Sequence, residues 1–250
     1  MHTLVIFSGG LDSTTLAYYL RAQGHEIELL SFDYGQRHAR ELEAARRIGD
    51  LLGVPWDRIS LADLGALLVG TALTDPGVSV PEGHYADVSM RLTVVPNRNA
   101  VMLAAGVAVA AARKMDAVAI GIHAGDHPIY PDCRPSFIER FNQMEKDALG
   151  EWWQVRVIAP FIDKTKGEIV VIGAGIGVPF SLTWSCYKGG DLHCGVCGTC
   201  MERKEAFQLA GVPDPTEYRD VHYLKRVSLF GQSHPQRAGA GTPLLSPAWA

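Results

Sequence analysis

Residues 4–20 of the chain read LVIFSGGLDSTTLAYYL. The first four, apolar residues predict a buried strand, the glycine pair predicts a tight turn, and the remaining residues predict the start of a helix. Such a turn offers backbone N–H groups and the positive end of a helix dipole to an anion, so phosphate is the expected ligand. Gly9 and Gly10 permit positive φ and let a phosphate approach the backbone. Asp12 could hold the loop or receive Mg²⁺.

Two other phosphate-binding loops do not fit this stretch. A Walker A loop requires GxxxxGK[ST] and a dinucleotide fingerprint requires GxGxxG, and residues 8–13, SGGLDS, match neither. An ordinary strand-to-helix turn is the alternative for a glycine pair alone. The complete string resembles the PP-loop of the ATP pyrophosphatase superfamily, whose members adenylate a carboxylate or carbonyl oxygen and release pyrophosphate. That resemblance implies ATP contacts along the loop and the helix after it, at Phe7, Ser8, Gly9, Gly10, Leu11, Asp12, Ser13, Thr14, Thr15, Leu16 and Ala17.

The composition limits the class of protein. A chain of 250 residues, 47% of them hydrophobic, predicts one large domain, or one domain with a small appendage. The net charge of −4 argues against a dominant nucleic-acid surface, which usually carries a basic excess. No secretory signal is visible at the N-terminus, and the alanine-rich run 100–112 is too short to span a bilayer and predicts a helix buried on most sides. We therefore expect a soluble, cytoplasmic protein with neither a nucleic-acid nor a membrane partner.

Four of the five cysteines crowd together with the spacing C-x7-C-x2-C-x2-C. Thiolates separated by two residues can share one tetrahedral ion, because the glycines between them permit the turns. The spacing predicts a zinc site; an iron–sulfur cluster is the alternative, and His193 could replace one sulfur. Four protein ligands leave no open position, so the metal is expected to be structural. The predicted ligands are Cys186, Cys194, Cys197 and Cys200.

Apolar strand patterns alternate with amphipathic helix patterns along most of the chain. One charged helix is expected over residues 36–52 and should end at Gly53, and another should begin at Pro135. Strand–helix–strand units predict parallel strands with right-handed crossovers. The expected fold is α/β, a doubly wound parallel sheet of the Rossmann-like PP-loop type, with ligands at the carboxyl ends of its strands. We expect a nucleotide-binding domain over 1–180, a zinc-binding helical segment packed on it over 181–230, and a flexible tail over 231–250. Residues 70–90, rich in Gly, Pro and Thr, predict a mobile excursion over the site.

Several polar residues are candidates for ligand contacts. Cys133 lies between Asp132 and Arg134 in the stretch YPDCRP. A lone cysteine is more often a small buried residue than a nucleophile, since reactivity requires a thiolate. With Asp126 nearby, this loop suits a polar ligand better than a core. Arg98 could hold a phosphate or carboxylate in bidentate fashion, or cap local carbonyls.

Lys166 lies in TKGE, residues 165–168, a capping box at the start of a predicted helix. The helix dipole disfavours a cation at this end. An anion-binding role therefore competes with that of a solvated helix start.

Several segments fit one pattern. They are FSGGLDSTT, FDYGQRH, VPNRN, YPDCRPSFI, DKTKGEI, TWSCY and HCGVCGTC, in this order over about residues 4–205. Together they resemble the 7-cyano-7-deazaguanine synthase (QueC) family. The resemblance implies ATP-driven conversion of 7-carboxy-7-deazaguanine and ammonia to 7-cyano-7-deazaguanine, on the route to queuosine or related deazapurines. It also implies one zinc ion per chain and a homodimer.

The resemblance carries over to individual positions. It implies phosphate handling by the loop residues Ser8, Gly9, Gly10, Asp12 and Ser13. It implies catalytic roles for Asp12, Ser13, Arg98 and Lys166. It implies substrate contacts by Asp126, Asp132, Cys133 and Arg134. Two positions depart from the family pattern: Asn97 stands where the family often has Gly, and residues 123–129, HAGDHPI, lack the Asp-Ser-Ser-Gly run common there.

Two other functions compete with this interpretation. Another PP-loop enzyme could amidate a different substrate or modify tRNA, but insertion of sulfur needs a catalytic cysteine outside the metal set, and only Cys133 is spare. A non-catalytic zinc ribbon that binds nucleic acid would need basic and aromatic residues around the cysteines. Few residues of that kind are present, namely Lys188, Arg203, Lys204, Trp184 and Tyr187.

Overall fold

The computed structural model describes residues 1–84, 88–224 and 226. Its strands are β1 His2–Ile6, β2 Glu26–Asp33, β3 Trp56–Ser60, β4 Ala117–Ala119 and β5 Arg156–Ile158. They form one parallel sheet in the order β3-β2-β1-β4-β5. The chain moves outward from β1 first on one side and then on the other, so β1 and β4 flank a topological switch point. The predicted doubly wound parallel sheet is confirmed.

The helices surround this sheet. In the described residues they are α1 Leu11–Ala22, α2 Arg40–Leu52, α3 Ala62–Leu67, α4 Arg98–Ala112, α5 Pro135–Leu149, α6 Lys166–Gly175 and α7 Gly198–Ala210. Short 3₁₀ turns lie at Val88–Thr93, Ala124–Asp126, Pro131–Cys133 and Phe180–Leu182.

Local signals set several helix ends. Gly53 closes α2 with φ 65°, and Thr165 with Glu168 forms a capping box ahead of α6, both as predicted. The start of α2 was predicted at residue 36 and lies at Arg40 instead. The reason is the Gln36 side chain, which accepts a hydrogen bond from the backbone of residue 34 and donates one to the carbonyl of residue 32, and so holds a turn.

Alternate residues of β1 enter two separate cores, as the two-residue period of a strand requires. Leu4 and Ile6 pack with residues of α4 and α5 on one face of the sheet. Val5 and Phe7 pack with residues of α1, α2, α6 and α7 on the other face. Helix α7 therefore shares a core with α1, the helix that follows the glycine turn.

Helix α4 is an apolar helix that lies on the sheet. By length and composition alone, the helical stretch Ser89–Ala112 could cross a membrane. It is interrupted between the 3₁₀ turn and α4, where Asn97 has φ 58°, a left-handed conformation that asparagine tolerates and glycine favours. Helix α4 packs against β1 and β4, while Ala104 and Ala108 are exposed. The exposed positions of α4, which are Ala104, Ala108 and Ala112, form a single stripe, and its other residues are buried or half-buried, so the expected helix buried on most sides is confirmed.

The described part of residues 70–90 is packed and hydrogen-bonded. Leu73 is fully buried. The Asp75 carboxylate accepts hydrogen bonds from the backbone N–H groups of Gly70 and Gly77. The predicted mobile excursion is therefore tied to the domain over most of its length. The predicted tail, 231–250, lies outside the described residues.

Candidate active site

A cavity of about 200 Å³ opens at the carboxyl ends of β1, β2 and β4, beside the topological switch point. One end is lined by the SGGLDS turn, Asp126 and Lys166. The other end is lined by aromatic rings and the Arg98 side chain. The cavity therefore joins a phosphate-type loop to a pocket suited to a flat polar molecule.

The glycine turn is shaped by one residue with positive φ. Gly9 has φ 77°, and a Cβ there would stand 2.5 Å from the backbone nitrogen of Ala45 on α2. Gly10 is the N-cap of α1 with an extended φ of −76°, so only Gly9 uses the positive φ that both glycines permit. The Ser8 backbone N–H donates to Ser13 Oγ at 3.3 Å. The turn thus directs free N–H groups of the helix start toward the cavity.

The sequence-predicted ATP contacts divide into two groups. Those that line the cavity are Phe7, Ser8, Gly10, Leu11, Asp12 and Ser13. Those outside its lining are Gly9, Thr14, Thr15, Leu16 and Ala17. The last four of these are buried on successive sides of α1, because this helix packs against α6 as well as against β1 and β2. Their part in the fold is packing of α1.

Lys166 lies between two carboxylates at the phosphate end. Its Nζ is 3.1 Å from Asp12 Oδ2 and 2.6 Å from Glu202 Oε2, the latter on α7. Burial by itself would lower the pKa of Lys166, but Asp12, Glu202 and Asp126 outweigh it and raise the pKa above its ordinary value. Lys166 therefore presents a fixed positive charge beside the glycine turn.

The loop that departs from the family pattern is ordered against this cluster. His123 is 1% exposed, and its Nδ1 accepts a hydrogen bond from the backbone of Gly125. Its Nε2 lies 3.6 Å from Asp126 and 3.8 Å from Glu202. The Asp126 carboxylate accepts a hydrogen bond from the backbone N–H of His123 at 3.2 Å. Residues 123–126 thus form a turn with internal hydrogen bonds, next to the carboxylates that surround Lys166.

At the aromatic end, Arg98 projects from the first position of α4 into the cavity. Its Nη1 donates to the hydroxyl of Tyr34 at 3.2 Å. Tyr130 and Tyr187 also line this end. A guanidinium framed by phenol rings can bind a carboxylate or the oxygen of a heterocycle.

Glu41 and His38 are a further pair of neighbouring ionisable side chains that line the cavity. Glu41 Oε1 accepts a hydrogen bond from Gln36 Nε2 at 2.9 Å, and Glu41 Oε2 is 3.4 Å from His38 Nε2. Burial raises the pKa of Glu41 to about 7. Burial and the charge of Arg98 lower the pKa of His38 to about 3, so this ring is neutral at physiological pH.

The loop 126–134 is only partly in the cavity. Asp126 and Cys133 line it, whereas Asp132 and Arg134 do not. Asp132 Oδ2 accepts the backbone N–H of Asn99 at 2.9 Å and so caps α4. Arg134 is exposed and donates from Nε to the carbonyl of residue 127 at 2.9 Å. The structure brings two of the four predicted substrate residues to the site and gives the other two structural contacts.

Cys133 is a buried thiol. It is 4% exposed and accepts a hydrogen bond from Asn99 Nδ2 at 3.2 Å. Burial, and then the charges of Asp126 and Asp132, raise the pKa of Cys133 far above its ordinary value. A thiolate nucleophile is disfavoured here, which removes the chemical basis for insertion of sulfur by this residue.

The four clustered cysteines form a site that could hold a metal ion. All four sulfurs lie within 4.8 Å of one another. Zn–S bonds of about 2.3 Å in a tetrahedron place sulfurs roughly 3.8 Å apart, and Cys194 Sγ is 3.9 Å from Cys200 Sγ. The donor set therefore fits zinc. His193 is not part of it, because its Nε2 accepts the backbone N–H of Ser185 at 3.0 Å.

Helix α7 connects the cysteine cluster to the cavity. Cys200 lies in its first turn, Thr199 lines the cavity, and Glu202 reaches Lys166. Arg203 is fully buried and donates to the carbonyl of Phe180 at 2.9 Å. The sequence does not mark Glu202 as a site residue, because it lies outside every recognisable motif.

Comparisons with known proteins agree with this geometry. A family model described as "Queuosine biosynthesis protein QueC" matches residues 2–211. A 7-cyano-7-deazaguanine synthase of Rhizobium johnstonii is 57% identical over 225 residues, with 90% of this chain and 95% of that protein covered. Its counterpart in Brucella anthropi is 54% identical over 225 residues, with 90% and 97% covered.

A solved structure, a predicted subunit of tRNA methyltransferase from Methanocaldococcus jannaschii, is similar in fold. It has a TM-score of 0.46 at 19% identity, with 70% of this chain and 74% of that chain covered. The family match across most of the chain, together with the high identities to the synthases, shows that the chain belongs to the QueC family of queuosine biosynthesis proteins.

Proposed function

We propose that the protein is a 7-cyano-7-deazaguanine synthase that uses ATP to convert 7-carboxy-7-deazaguanine and ammonia to the nitrile. The observation that carries this proposal is the match to the synthases over nine-tenths of the chain. In this chain the glycine turn and Lys166 border one cavity. The aromatic end of that cavity, with Arg98, suits a flat heterocycle that bears a carboxylate.

The chemistry requires two activations. A carboxylate oxygen is a poor leaving group, so ATP first converts it to an activated ester. Ammonia then displaces the activated oxygen and gives the amide. A second activation of the amide oxygen, followed by its departure and the loss of two protons from nitrogen, gives the nitrile.

The residues of the cavity have distinct proposed roles in these steps. The turn from Ser8 to Ser13 holds the phosphates through backbone N–H groups and hydroxyls. Lys166 stabilises negative charge that develops on phosphate. Arg98 orients the carboxylate of the substrate. Asp12 would hold Mg²⁺, which neutralises phosphate charge when bound.

We propose that the four-cysteine site holds one structural zinc ion. Its sulfur spacing suits tetrahedral zinc, and no ligand position is left open for substrate. From the family resemblance we also propose a homodimer that works in the cytoplasm with small-molecule partners, including ammonia, and without nucleic acid.

The test of the proposed function combines purified protein, ATP, Mg²⁺, ammonium and 7-carboxy-7-deazaguanine, and follows the products by mass spectrometry. We expect the nitrile. Asp12→Ala should lower its rate of formation about 100-fold or more, because the phosphates lose charge compensation, while the zinc content stays unchanged. Hydrolysis of ATP by the wild type without nitrile would assign a different substrate, and loss of zinc in Asp12→Ala would contradict the separation of the two sites.

A further inference from the structure

We infer that Glu202 is a positioning residue, which holds the Lys166 ammonium group against the phosphate end of the cavity. This inference rests on the proposed function, in which Lys166 acts on the phosphates of ATP. It assigns a role in the reaction to a residue of the cysteine-bearing segment that does not itself line the cavity.

The first argument is the arrangement of charges around the lysine. Lys166 Nζ is closer to Glu202, at 2.6 Å, than to Asp12, at 3.1 Å. Asp12 and Lys166 both line the cavity, so an incoming phosphate meets them together. Glu202 lies behind the lysine and cannot be displaced by a ligand on the cavity side. Glu202 therefore keeps its contact with Lys166 when the Asp12 carboxylate contacts a different group.

The second argument is the position of Lys166 in its helix. Thr165 is the N-cap of α6, so Lys166 is the first helical residue, where the dipole repels a cation. The nearby carboxylate of Glu168 is already used by the backbone and hydroxyl of Thr165. Glu202 supplies the compensating charge from a different helix.

The third argument is that Glu202 is rigidly mounted. Its neighbour Arg203 is fully buried and donates to Thr183 Oγ1 at 2.7 Å and to the Phe180 carbonyl. The second carboxylate oxygen of Glu202 lies 3.8 Å from His123 Nε2. The loop that departs from the family pattern thus places a ring nitrogen near the carboxylate oxygen that does not contact Lys166, and a fixed carboxylate fixes the lysine.

The experiment compares Glu202→Gln with Glu205→Gln in the zinc-loaded full-length protein. Glu205 lies one turn further along α7 and pairs with His84 at 3.0 Å, away from the cavity. With Glu202→Gln we expect kcat for nitrile formation to fall about tenfold or more, because the lysine is misplaced. The KM for ATP should change less than about twofold, because the phosphates also lose a repulsive charge. Zinc content and Tm should match those of Glu205→Gln, which should retain wild-type kinetics.

Two results would overturn the inference. One is a kcat for Glu202→Gln within about twofold of the wild type. The other is loss of kcat only together with loss of zinc or a lowered Tm, which would mark Glu202 as a purely structural residue. Glu202→Asp keeps the charge and should recover part of the lost rate.

A crystal structure with a non-hydrolysable ATP analogue tests the inference independently of the substrate. Lys166 should remain within hydrogen-bond distance of Glu202 while it contacts a phosphate oxygen, and a lysine that leaves Glu202 on binding would contradict the proposal. If the wild type makes no nitrile but the analogue complex shows both contacts, the proposed function fails and the positioning role stands.

Discussion

Glu41 shows how one residue can link the cavity to the stability of the fold. Its carboxyl group is buried beside His38 and Gln36, and the backbone carbonyl of Glu41 lies where a side chain at Gly9 would have to pass. Burial raises the pKa of Glu41 from 4.5 to about 7. At pH values between these two pKa values, Glu41 therefore keeps a proton in the folded protein that it has lost in the unfolded chain.

This proton linkage gives a pH-dependent prediction for Glu41→Gln. A raised pKa contributes stability that is complete below the unfolded pKa and is lost as the pH rises through the folded pKa. We expect the unfolding free energy of the wild type, relative to Glu41→Gln, to fall by about 2 kcal/mol from about pH 5 to about pH 8. Urea denaturation of both proteins at the two pH values measures this difference. An equal pH dependence in the two proteins would mean that Glu41 is ionised in the fold at neutral pH.

At the level of single residues, sequence motifs predict those candidate site residues whose partners lie close to them in the chain. The turn residues around Asp12 and the four cysteines act with partners a few positions away, so their spacing alone indicates a loop and a donor set. Glu202 acts through Lys166, which is distant in the chain, so no local pattern marks its carboxylate. Glu41 has its partners within five residues, but only the burial produced by packing raises its pKa.

At the level of elements, the start of α4 is controlled by a residue from another loop. Asn97 provides the left-handed turn before the helix, and Asp132 accepts the N–H of Asn99 in its first turn. This contact explains why Asp132 lies outside the cavity lining although Cys133, beside it, is inside. The helix start in turn carries Arg98 into the cavity.

The capping contact predicts the effect of Asp132→Ala. Removal of a helix cap costs about 1 kcal/mol, so we expect a loss of that size in urea denaturation. The KM for 7-carboxy-7-deazaguanine should change less than about twofold, because no direct contact is removed. Asp147→Ala, at an exposed position of α5, is the control and should change neither quantity. A raised KM with unchanged stability would instead support the substrate contact that the sequence predicts for Asp132.

Local capping and turn residues allowed several elements to be predicted. Gly53 ended α2, Pro135 began α5, and the capping box preceded α6, each through interactions within one helical turn. The predicted start of α2 was wrong because the side chain of Gln36 holds a local turn with the backbone of residues 32 and 34, which the helix pattern does not reveal. The packing of residues 70–90 was not predicted, because the burial of Leu73 depends on tertiary contacts that residue composition does not show.

At the level of the whole molecule, the metal-type cluster and the cavity are parts of one structure. Helix α7 starts at the cysteines, packs on α6 and carries Thr199 and Glu202 toward the glycine turn. A change at the cluster must therefore reach the cavity through the helix.

Metal removal tests that connection. We expect Cys200→Ser to lose bound zinc, to unfold at a lower Tm, and to form nitrile at least about tenfold more slowly. The physical reason is that α7 loses the anchor of its first turn. Metal analysis, thermal denaturation and the product assay measure the three effects, and Cys133→Ser, outside the cluster, should keep its zinc. Full activity in a metal-free protein would show that the cluster does not support the cavity.

Glu202 and Asp12 contact the same lysine, but the ribosome makes them at different stages of synthesis. The glycine turn is made first and α7 nearly last, because they lie toward opposite ends of the described chain. Parallel strands likewise pair only after the intervening segments have been made. A nascent chain that has already formed β1, α1 and β2 still lacks both Lys166 and the carboxylate of Glu202. The pair of Lys166 and Glu202 beside the glycine turn is therefore completed only when α7 has been made, and a product truncated before α7 carries the glycine turn and Lys166 without the residue that we propose positions this lysine.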